Sequence, residues 1–110
     1  MKRILLACSS GMSTSLLVSR MKEAAAARGV DVDIWAVSQD KAATEMRKAD
    51  VLLVGPQMRF LIKKLSQEGA AMGIPIEAID PIAYGRVDGE AVLEKALELI
   101  KRERNPHESE

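Results

Sequence analysis

The one cysteine of the chain stands directly before a run of small and hydroxyl-bearing residues. Such a segment can curl until several backbone N–H groups point inward, and a helix that follows it adds the positive end of its dipole. The same donors favour the thiolate form of a nearby thiol, which is the nucleophilic form. The pattern therefore predicts that Cys8 is a nucleophile at the edge of a phosphate-binding loop, whose residues are Ser9, Ser10, Gly11, Met12, Ser13, Thr14 and Ser15.

A lone cysteine at the end of a buried strand is more often a small packing residue than a nucleophile. Ser13 alone could likewise be an ordinary helix N-cap. Neither interpretation explains why Ser-Ser-Gly and then three more hydroxyl residues follow Cys8 at the start of a helix. We therefore favour the reactive thiol.

Gln57 and Asp80 are further candidates for the same site. Gln57 could donate a hydrogen bond to a phosphoryl oxygen, although a glutamine at a helix start is as often only solvated. Asp80 precedes Pro81 and could act as a general acid, but an aspartate before proline is more often a turn former or a helix cap. The role of Gln57 stays open on the sequence alone, whereas for Asp80 the sequence favours the turn or the cap and keeps the general acid as a minor alternative.

These residues depend on strands that end at one edge of a sheet. Apolar segments with strand character alternate with helical ones, which predicts an α/β fold with a parallel sheet and helices on both faces. Continuous apolar runs at 4–7 and 51–54 predict central strands, whereas polar residues or a proline within 30–34 and 74–77 predict edge strands. Short right-handed crossovers favour an open four-stranded sheet of order 2-1-3-4. Ligands bind beyond the carboxyl ends of such strands, where Cys8 falls. The segments that begin at Ser38, Gly55 and Asp80 should reach the same edge.

The spacing of apolar residues and the flanking glycines and prolines predict helices at 13–28, 42–48, 57–71 and 89–102. The length predicts one domain, which we assign to residues 1–104, followed by a polar tail at 105–110. Trp35 and Phe60 are expected to pack in the interior.

The composition argues against several functional classes. Sixteen Lys and Arg balance sixteen Asp and Glu, and aromatic residues make up 3% of the chain, so the features of a nucleic-acid-binding protein are missing. A single cysteine suits a reducing compartment, and the apolar run after Arg3 is too short for a signal peptide. No metal-ligand spacing is found. We expect a cytoplasmic protein without metal or cofactor.

Three segments of the sequence resemble one protein family. They read CSSGMSTSLLVS from Cys8, ADVLLVGPQ from Ala49 and YGRVDG from Tyr84. The chain resembles the IIB components of the lactose/cellobiose family of the bacterial sugar phosphotransferase system, in particular their cellobiose/chitobiose-like branch. The resemblance implies that Cys8 takes a phosphoryl group from a phosphohistidine of the IIA component. It would then pass this group to a sugar, typically a β-linked disaccharide such as cellobiose or chitobiose, that enters through the membrane-embedded IIC permease.

The loop of this family also resembles the phosphate loop of low-molecular-weight protein tyrosine phosphatases, in which an Arg and a Ser or Thr follow the cysteine after five residues. In this sequence Thr14 takes the place of that Arg, and Ser15 follows it. Without the Arg, a bidentate clamp on the transferring phosphoryl group is lost, and with it much of the stabilisation of a hydrolytic transition state. The sequence therefore favours a phosphoryl carrier over the alternative, a phosphatase-like hydrolase.

Overall fold

The computed structural model of the chain describes residues 1–8 and 11–104, and the side chains of residues 1–8 and 14–103. Ser9, Ser10 and the predicted tail at 105–110 lie outside the described residues, and so do the side chains of Gly11, Met12, Ser13 and Arg104. No helix of the described part is long and apolar enough to cross a membrane.

Four parallel strands form one open sheet of order β2-β1-β3-β4, which confirms the predicted α/β class and strand order. The two central strands are the ones with continuous apolar runs, and every residue of the third strand is buried. In chain order the strands are β1 (Lys2–Cys8), β2 (Val32–Ser38), β3 (Val51–Val54) and β4 (Ile76–Ala78).

Helices connect the strands and cover both faces of the sheet. They are α1 (Gly11–Arg28), α2 (Gln39–Glu45), α3 (Ile62–Met72), α4 (Pro81–Gly85) and α5 (Gly89–Arg104), with 3₁₀ segments at Met46–Lys48 and Pro56–Leu61. The predicted helix at 57–71 is thus a 3₁₀ segment first and an α-helix only from Ile62, because Met58 has non-helical dihedral angles (φ −115°, ψ 24°). The short helix α4 was not predicted. Gly29 ends α1 with a left-handed φ of 69°, as predicted for a helix C-cap.

The side chains of the sheet alternate between two apolar layers. On one face Ile4 and Leu6 contact Leu17 and Met21 of α1 and a set of residues on α5, namely Val92, Leu93, Ala96, Leu99 and Ile100. On the other face Leu5, Ala7, Leu52 and Val54 contact residues of α2, α3 and the 3₁₀ segments, namely Ala42, Met46, Met58 and Leu65. The part of β1 from Ile4 to Cys8 is therefore fixed within the core.

Trp35 packs against this second layer, as predicted, but the expectation for Phe60 was wrong. Phe60 is 73% exposed. A 3₁₀ helix repeats every three residues, so Met58 and Leu61 face the core and the intervening Phe60 points outward.

The turn between α4 and α5 brings α5 against α1. Val87 has a φ of 52°, which β-branched residues rarely adopt, and Asp88 next to it accepts a hydrogen bond from Ala91 N–H at 3.1 Å, at the start of α5. Gly89 then lies so close to α1 that a Cβ atom on it would be 2.4 Å from the carbonyl carbon of Arg20. The absence of a side chain at Gly89 allows the two helices to touch.

Candidate active site

Four strand ends lie side by side at the carboxyl edge of the sheet. Cys8 pairs in register with Ser38 on one side, and on the other side Gly55 N–H donates a hydrogen bond of 2.9 Å to the carbonyl oxygen of Ala7. Farther along, Ile79 N–H donates to the carbonyl oxygen of Val54 at 2.8 Å. The order along the edge is therefore Ser38, Cys8, Gly55 and Asp80, and these are the segments that the sequence assigned to this edge.

Cys8 is the last residue of β1 and only 3% exposed, and it forms no disulfide. Helix α1 begins at Gly11, two residues earlier than predicted, so that only Ser9 and Ser10 separate it from Cys8. The first N–H groups of a helix have no partner within the helix and point toward its N-terminal end. Much of the predicted loop is thus the first turn of α1. The backbone N–H groups at this end of the helix point toward the segment that connects Cys8 to the helix.

Thr14 and Ser15 lie within this first part of α1 and differ in exposure. Thr14 is 2% exposed, whereas Ser15 is exposed. A buried threonine brings neither the positive charge nor the reach of the arginine that a phosphatase loop holds at this position. The described part of the site therefore lacks a guanidinium clamp at position 14.

Gly55 lies between the sulfur of Cys8 and the side chain of Gln57. A Cβ atom built on Gly55 would be 3.2 Å from Cys8 Sγ and 3.1 Å from Gln57 Oε1. The backbone of Gly55 (φ −55°, ψ 145°) is a conformation that any residue adopts, so glycine is needed here for space rather than for flexibility. The sulfur and the amide of Gln57 are thus neighbours across a position without a side chain.

Tyr84 of α4 reaches the same place. Gln57 Nε2 donates a hydrogen bond of 3.5 Å to the hydroxyl of Tyr84, and the ring of Tyr84 packs against the core. The sequence analysis proposed Gln57 but gave no role to Gly55 or Tyr84. The signals were weak, since a glycine after a strand is common and only the fold brings Tyr84 next to Gln57.

Asp80 is the N-cap of α4. Its Oδ2 accepts a hydrogen bond of 3.0 Å from Ala83 N–H, which is the helix-cap role that the sequence analysis favoured. Asp80 follows β4, which β3 separates from β1, and strands are about 4.8 Å apart, so the backbone at Asp80 is roughly 10 Å from that of Cys8. Asp80 also lines a groove with Arg59 and Lys95, in which Cys8 takes no part. These contacts favour the cap over a general acid.

Ser38 forms a second polar pair at this edge, which the sequence analysis missed. The Ser38 hydroxyl donates a hydrogen bond to Asp40 Oδ1, and this bond holds the pKa of Asp40 below its ordinary value. A Ser-x-Asp sequence after a strand is the signal that could have indicated it. Within the described residues, no three His, Cys, Asp or Glu side chains are grouped so that they could hold a metal ion.

Apolar side chains are exposed around the same edge. Leu16 is 47% exposed, Phe60 73% and Ile82 65%, and they follow β1, β3 and β4 respectively. Single exposed apolar residues are ordinary, but these three all lie on segments that follow strand ends at one edge of the sheet, so we treat them as candidates for partner contact. We call these three residues the apolar rim.

An open parallel sheet with a thiol at the carboxyl end of a central strand and a helix directly after it is the arrangement of α/β domains that handle phosphoryl groups. A sequence model of one family, described as "PTS system, Lactose/Cellobiose specific IIB subunit", matches residues 3–95. The chain belongs to this family: it is a IIB component of the sugar phosphotransferase system and therefore a phosphotransferase.

Individual relatives are similar over almost their whole length. The chain is 57% identical over 100 residues to the oligo-beta-mannoside-specific EIIB component of Bacillus subtilis (strain 168), which covers 91% of this chain and 97% of that protein. It is 42% identical over 104 residues to the galactose-specific EIIB component of Lactococcus lactis subsp. cremoris (strain MG1363). The identity is the same for the cellobiose-specific EIIB component of Lactococcus lactis subsp. lactis (strain IL1403), and in both comparisons 90% of this chain and 96% of the relative are covered.

Solved structures agree with this assignment. The solution structure of the cellobiose-specific phosphotransferase IIB component from Borrelia burgdorferi has a TM-score of 0.77 and 37% sequence identity, with 93% of this chain and 94% of that chain covered. The lactose-specific IIB domain from Streptococcus pneumoniae has a TM-score of 0.79 at 20% identity, with 88% and 95% covered, and it supports the fold alone. The sugars named for these relatives differ, although the fold is shared.

Proposed function

We propose that Cys8 accepts a phosphoryl group from a phosphohistidine of a IIA component and passes it to a sugar that enters through a IIC permease. One observation carries this proposal: Cys8 ends a central strand and only two residues separate it from Gly11, where α1 begins, so the sulfur lies next to the positive N-terminal end of this helix. A group transferred to this sulfur would gain hydrogen bonds as soon as it arrives.

In the first half-reaction the Cys8 thiolate attacks the phosphorus of the phosphohistidine. The S–P bond forms as the P–N bond breaks, and the electron pair of that bond returns to the imidazole nitrogen. The thiol proton leaves to solvent before or during the attack. The phosphoryl oxygens are then held by backbone N–H groups from the segment at 9–15, where the hydroxyl groups of Ser9, Ser10, Ser13 and Ser15 are further candidate donors.

In the second half-reaction a hydroxyl group of the sugar attacks the same phosphorus. The O–P bond forms as the S–P bond breaks, the electron pair returns to sulfur as a thiolate, and the hydroxyl proton is released to solvent. The chain returns to its starting state. The net reaction therefore moves the phosphoryl group from the phosphohistidine to the sugar and yields a sugar phosphate.

Transfer between partners requires that water does not remove the phosphoryl group from Cys8 in the meantime. Thr14, buried and uncharged, stands where a hydrolase of the similar loop type carries its Arg. Backbone N–H groups stabilise a phosphoryl dianion on Cys8. They supply less positive charge than an arginine would to stabilise the transition state for attack by water. This supports a carrier rather than a phosphatase.

The sugar is best described as a β-linked oligosaccharide. The sequence resemblance implies a disaccharide such as cellobiose or chitobiose, and the relative at 57% identity is named for oligo-beta-mannosides. All three are β-linked, and the sugar itself is recognised in the permease, so the chemistry at Cys8 is the same for each.

The apolar rim supports docking of the partners on the face that carries Cys8. Leu16, Phe60 and Ile82 lie on the segments that follow the strand ends at the edge where a phosphohistidine must approach, and exposed apolar residues in an interface supply much of its binding energy. The sequence adds Met12 of the predicted loop, because a flexible methionine is a residue type that suits an adaptable contact. We infer that the protein works in the cytoplasm and meets the membrane only through the permease.

The test is phosphorylation with phosphoenolpyruvate, the general phosphotransfer proteins and a matching IIA component. We expect the chain to gain the mass of one phosphoryl group, and Cys8→Ser to gain almost none, because a serine hydroxyl is far less nucleophilic than a thiolate. Intact-protein mass spectrometry measures this. Equal labelling of Cys8→Ser, or no labelling of the unaltered chain, would contradict the proposal.

A second variant tests whether the position of the thiol matters. Ala26 is exposed in α1, away from the carboxyl edge of the sheet, so the double variant Cys8→Ser, Ala26→Cys moves the thiol without removing it. We expect this variant to stay unlabelled. Labelling at residue 26 would mean that any exposed thiol reacts with the donor.

A further inference from the structure

The amide of Gln57 lies beside the sulfur of Cys8 with its oxygen on the sulfur's side. A point 3.2 Å from Cys8 Sγ, the position of a Cβ atom on Gly55, is only 3.1 Å from Gln57 Oε1. The amide nitrogen is farther from this point than the oxygen and donates to the hydroxyl of Tyr84 at 3.5 Å. This orientation suits an unmodified thiol, which offers a weak S–H donor to a nearby acceptor.

A phosphorylated Cys8 would reverse this requirement. A phosphoryl dianion has only acceptor oxygens, and an amide oxygen next to them would be repelled. A rotation of the Gln57 amide by half a turn exchanges its oxygen and nitrogen, and it would place N–H donors on the side of the sulfur.

We propose that Gln57 turns its amide when Cys8 is phosphorylated and donates a hydrogen bond to the phosphoryl group, and that Tyr84 is the positioning residue that holds Gln57 in both orientations. The inference rests on the proposed function, since it requires a phosphoryl group on Cys8. It adds a switching side-chain donor to a cradle otherwise made of backbone N–H groups.

Tyr84 suits this role because its hydroxyl is both a donor and an acceptor. The Tyr84 hydroxyl accepts from Gln57 Nε2 in the described orientation and can donate to Gln57 Oε1 after the rotation. The amide of Gln57 therefore keeps a hydrogen bond to Tyr84 in both orientations. The ring of Tyr84 is anchored against the core, whereas Gln57 is exposed. Tyr84 therefore fixes the position of the exposed Gln57 side chain.

Gly55 leaves the room that this movement needs. Its N–H and carbonyl groups are both engaged, in hydrogen bonds of 2.9 Å to Ala7 and from Met58, so the backbone keeps its position. A methyl group here would contact the sulfur and the amide oxygen at distances shorter than ordinary van der Waals contact. Gly55→Ala should therefore hinder both the rotation and the arrival of a phosphoryl group.

The experiment measures the rate of phosphoryl uptake from phosphorylated IIA by the full chain and four variants. We expect Gln57→Leu to lose about tenfold in rate, because a hydrogen bond to a charged group is removed. Gln57→Glu should lose more, since a carboxylate has no donor and repels the phosphoryl group. Tyr84→Phe should lose roughly threefold to tenfold, and Gln67→Leu, on an exposed part of α3, should be unchanged.

A spectroscopic signal separates positioning from a general loss of structure. In the unaltered chain the side-chain NH₂ resonances of Gln57 should shift on phosphorylation, and in Tyr84→Phe this shift should shrink while the backbone amide spectrum of the core stays the same. If the unaltered chain is phosphorylated but Gln57→Leu and Tyr84→Phe take up the group at its rate, the inference is wrong and the proposed function stands. If the unaltered chain takes up no phosphoryl group, both fail.

Discussion

Ser38 lies beside Cys8 in the sheet register, and its hydroxyl group binds the carboxylate of Asp40. We predict that Ser38→Ala raises the pKa of Asp40 toward its ordinary value of 3.8, because the hydrogen bond from Ser38 is the largest cause of its lowered value. Ser38→Thr keeps a hydroxyl and should keep the low pKa. Titration of the carboxylate carbons by NMR measures the difference, and an unchanged titration in Ser38→Ala would contradict the assignment.

The same substitution has a defined effect on stability. A pKa that is lower in the folded state means that the group stabilises the fold above its unfolded pKa and loses this contribution as the pH falls through the folded pKa. The difference in unfolding free energy between the unaltered chain and Ser38→Ala should therefore be constant near neutral pH and shrink in acid. Because both groups are exposed, the difference should be small.

At the scale of residues, the phosphate-binding role of Cys8 and the loop after it stays a prediction, whereas the position of Cys8 in the fold is the predicted one. The order Cys-Ser-Ser-Gly with following hydroxyl residues indicated an anion-binding position, and the fold puts Cys8 at the edge where ligands bind. Gly55 and Tyr84 take part through contacts between distant chain segments, which exist only after folding, so no local pattern indicated them. The pair of Ser38 and Asp40 is different, because its Ser-x-Asp pattern is local and could have been used.

At the scale of elements, the contact of α1 with α5 depends on Gly89. A Cβ atom there would be 2.4 Å from the carbonyl carbon of Arg20 and 2.6 Å from the backbone nitrogen of Met21. Backbone atoms cannot rotate away as side chains can, so we predict that Gly89→Ala forces the helices apart and costs about 3 kcal/mol in unfolding free energy. Urea unfolding measures this.

Gly85 provides the matched control for that prediction. It lies at the end of α4, and a Cβ atom on it would have no heavy atom within 4 Å. Gly85→Ala should leave stability unchanged or raise it by about 0.5 kcal/mol, because alanine loses less backbone entropy in a helix. Equal effects of the two substitutions would show that helix propensity, not contact with α1, governs position 89.

Elements with a strong apolar pattern were predicted best. The strand at 51–54 has the predicted bounds, and the sheet order followed from which runs were continuous. The turn between α4 and α5 was not predictable, because the left-handed residue in it is Val87, while glycines stand at either side. A left-handed conformation of a β-branched residue persists only where the surrounding structure imposes it, and tertiary structure leaves no local signal in the sequence.

At the scale of the whole molecule, we predict that the apolar rim serves binding and not stability. Phe60→Ser should leave the urea midpoint nearly unchanged, since Phe60 is 73% exposed, but it should raise the concentration of phosphorylated IIA needed for half-maximal uptake roughly threefold to tenfold. Met72→Ser is the control, because Met72 is 39% exposed at the C-terminal end of α3, on the opposite edge of the sheet. A similar effect of both substitutions would contradict the assignment.

In the proposed function, the small exposed fraction of Cys8 also orders the two half-reactions in time. Because only 3% of Cys8 is exposed, a phosphohistidine would have to leave before a sugar could approach the sulfur. A donor and an acceptor that use the same opening in turn would form no ternary complex around this cysteine. Two successive in-line displacements, each inverting the configuration at phosphorus, would then deliver the phosphoryl group with its original handedness.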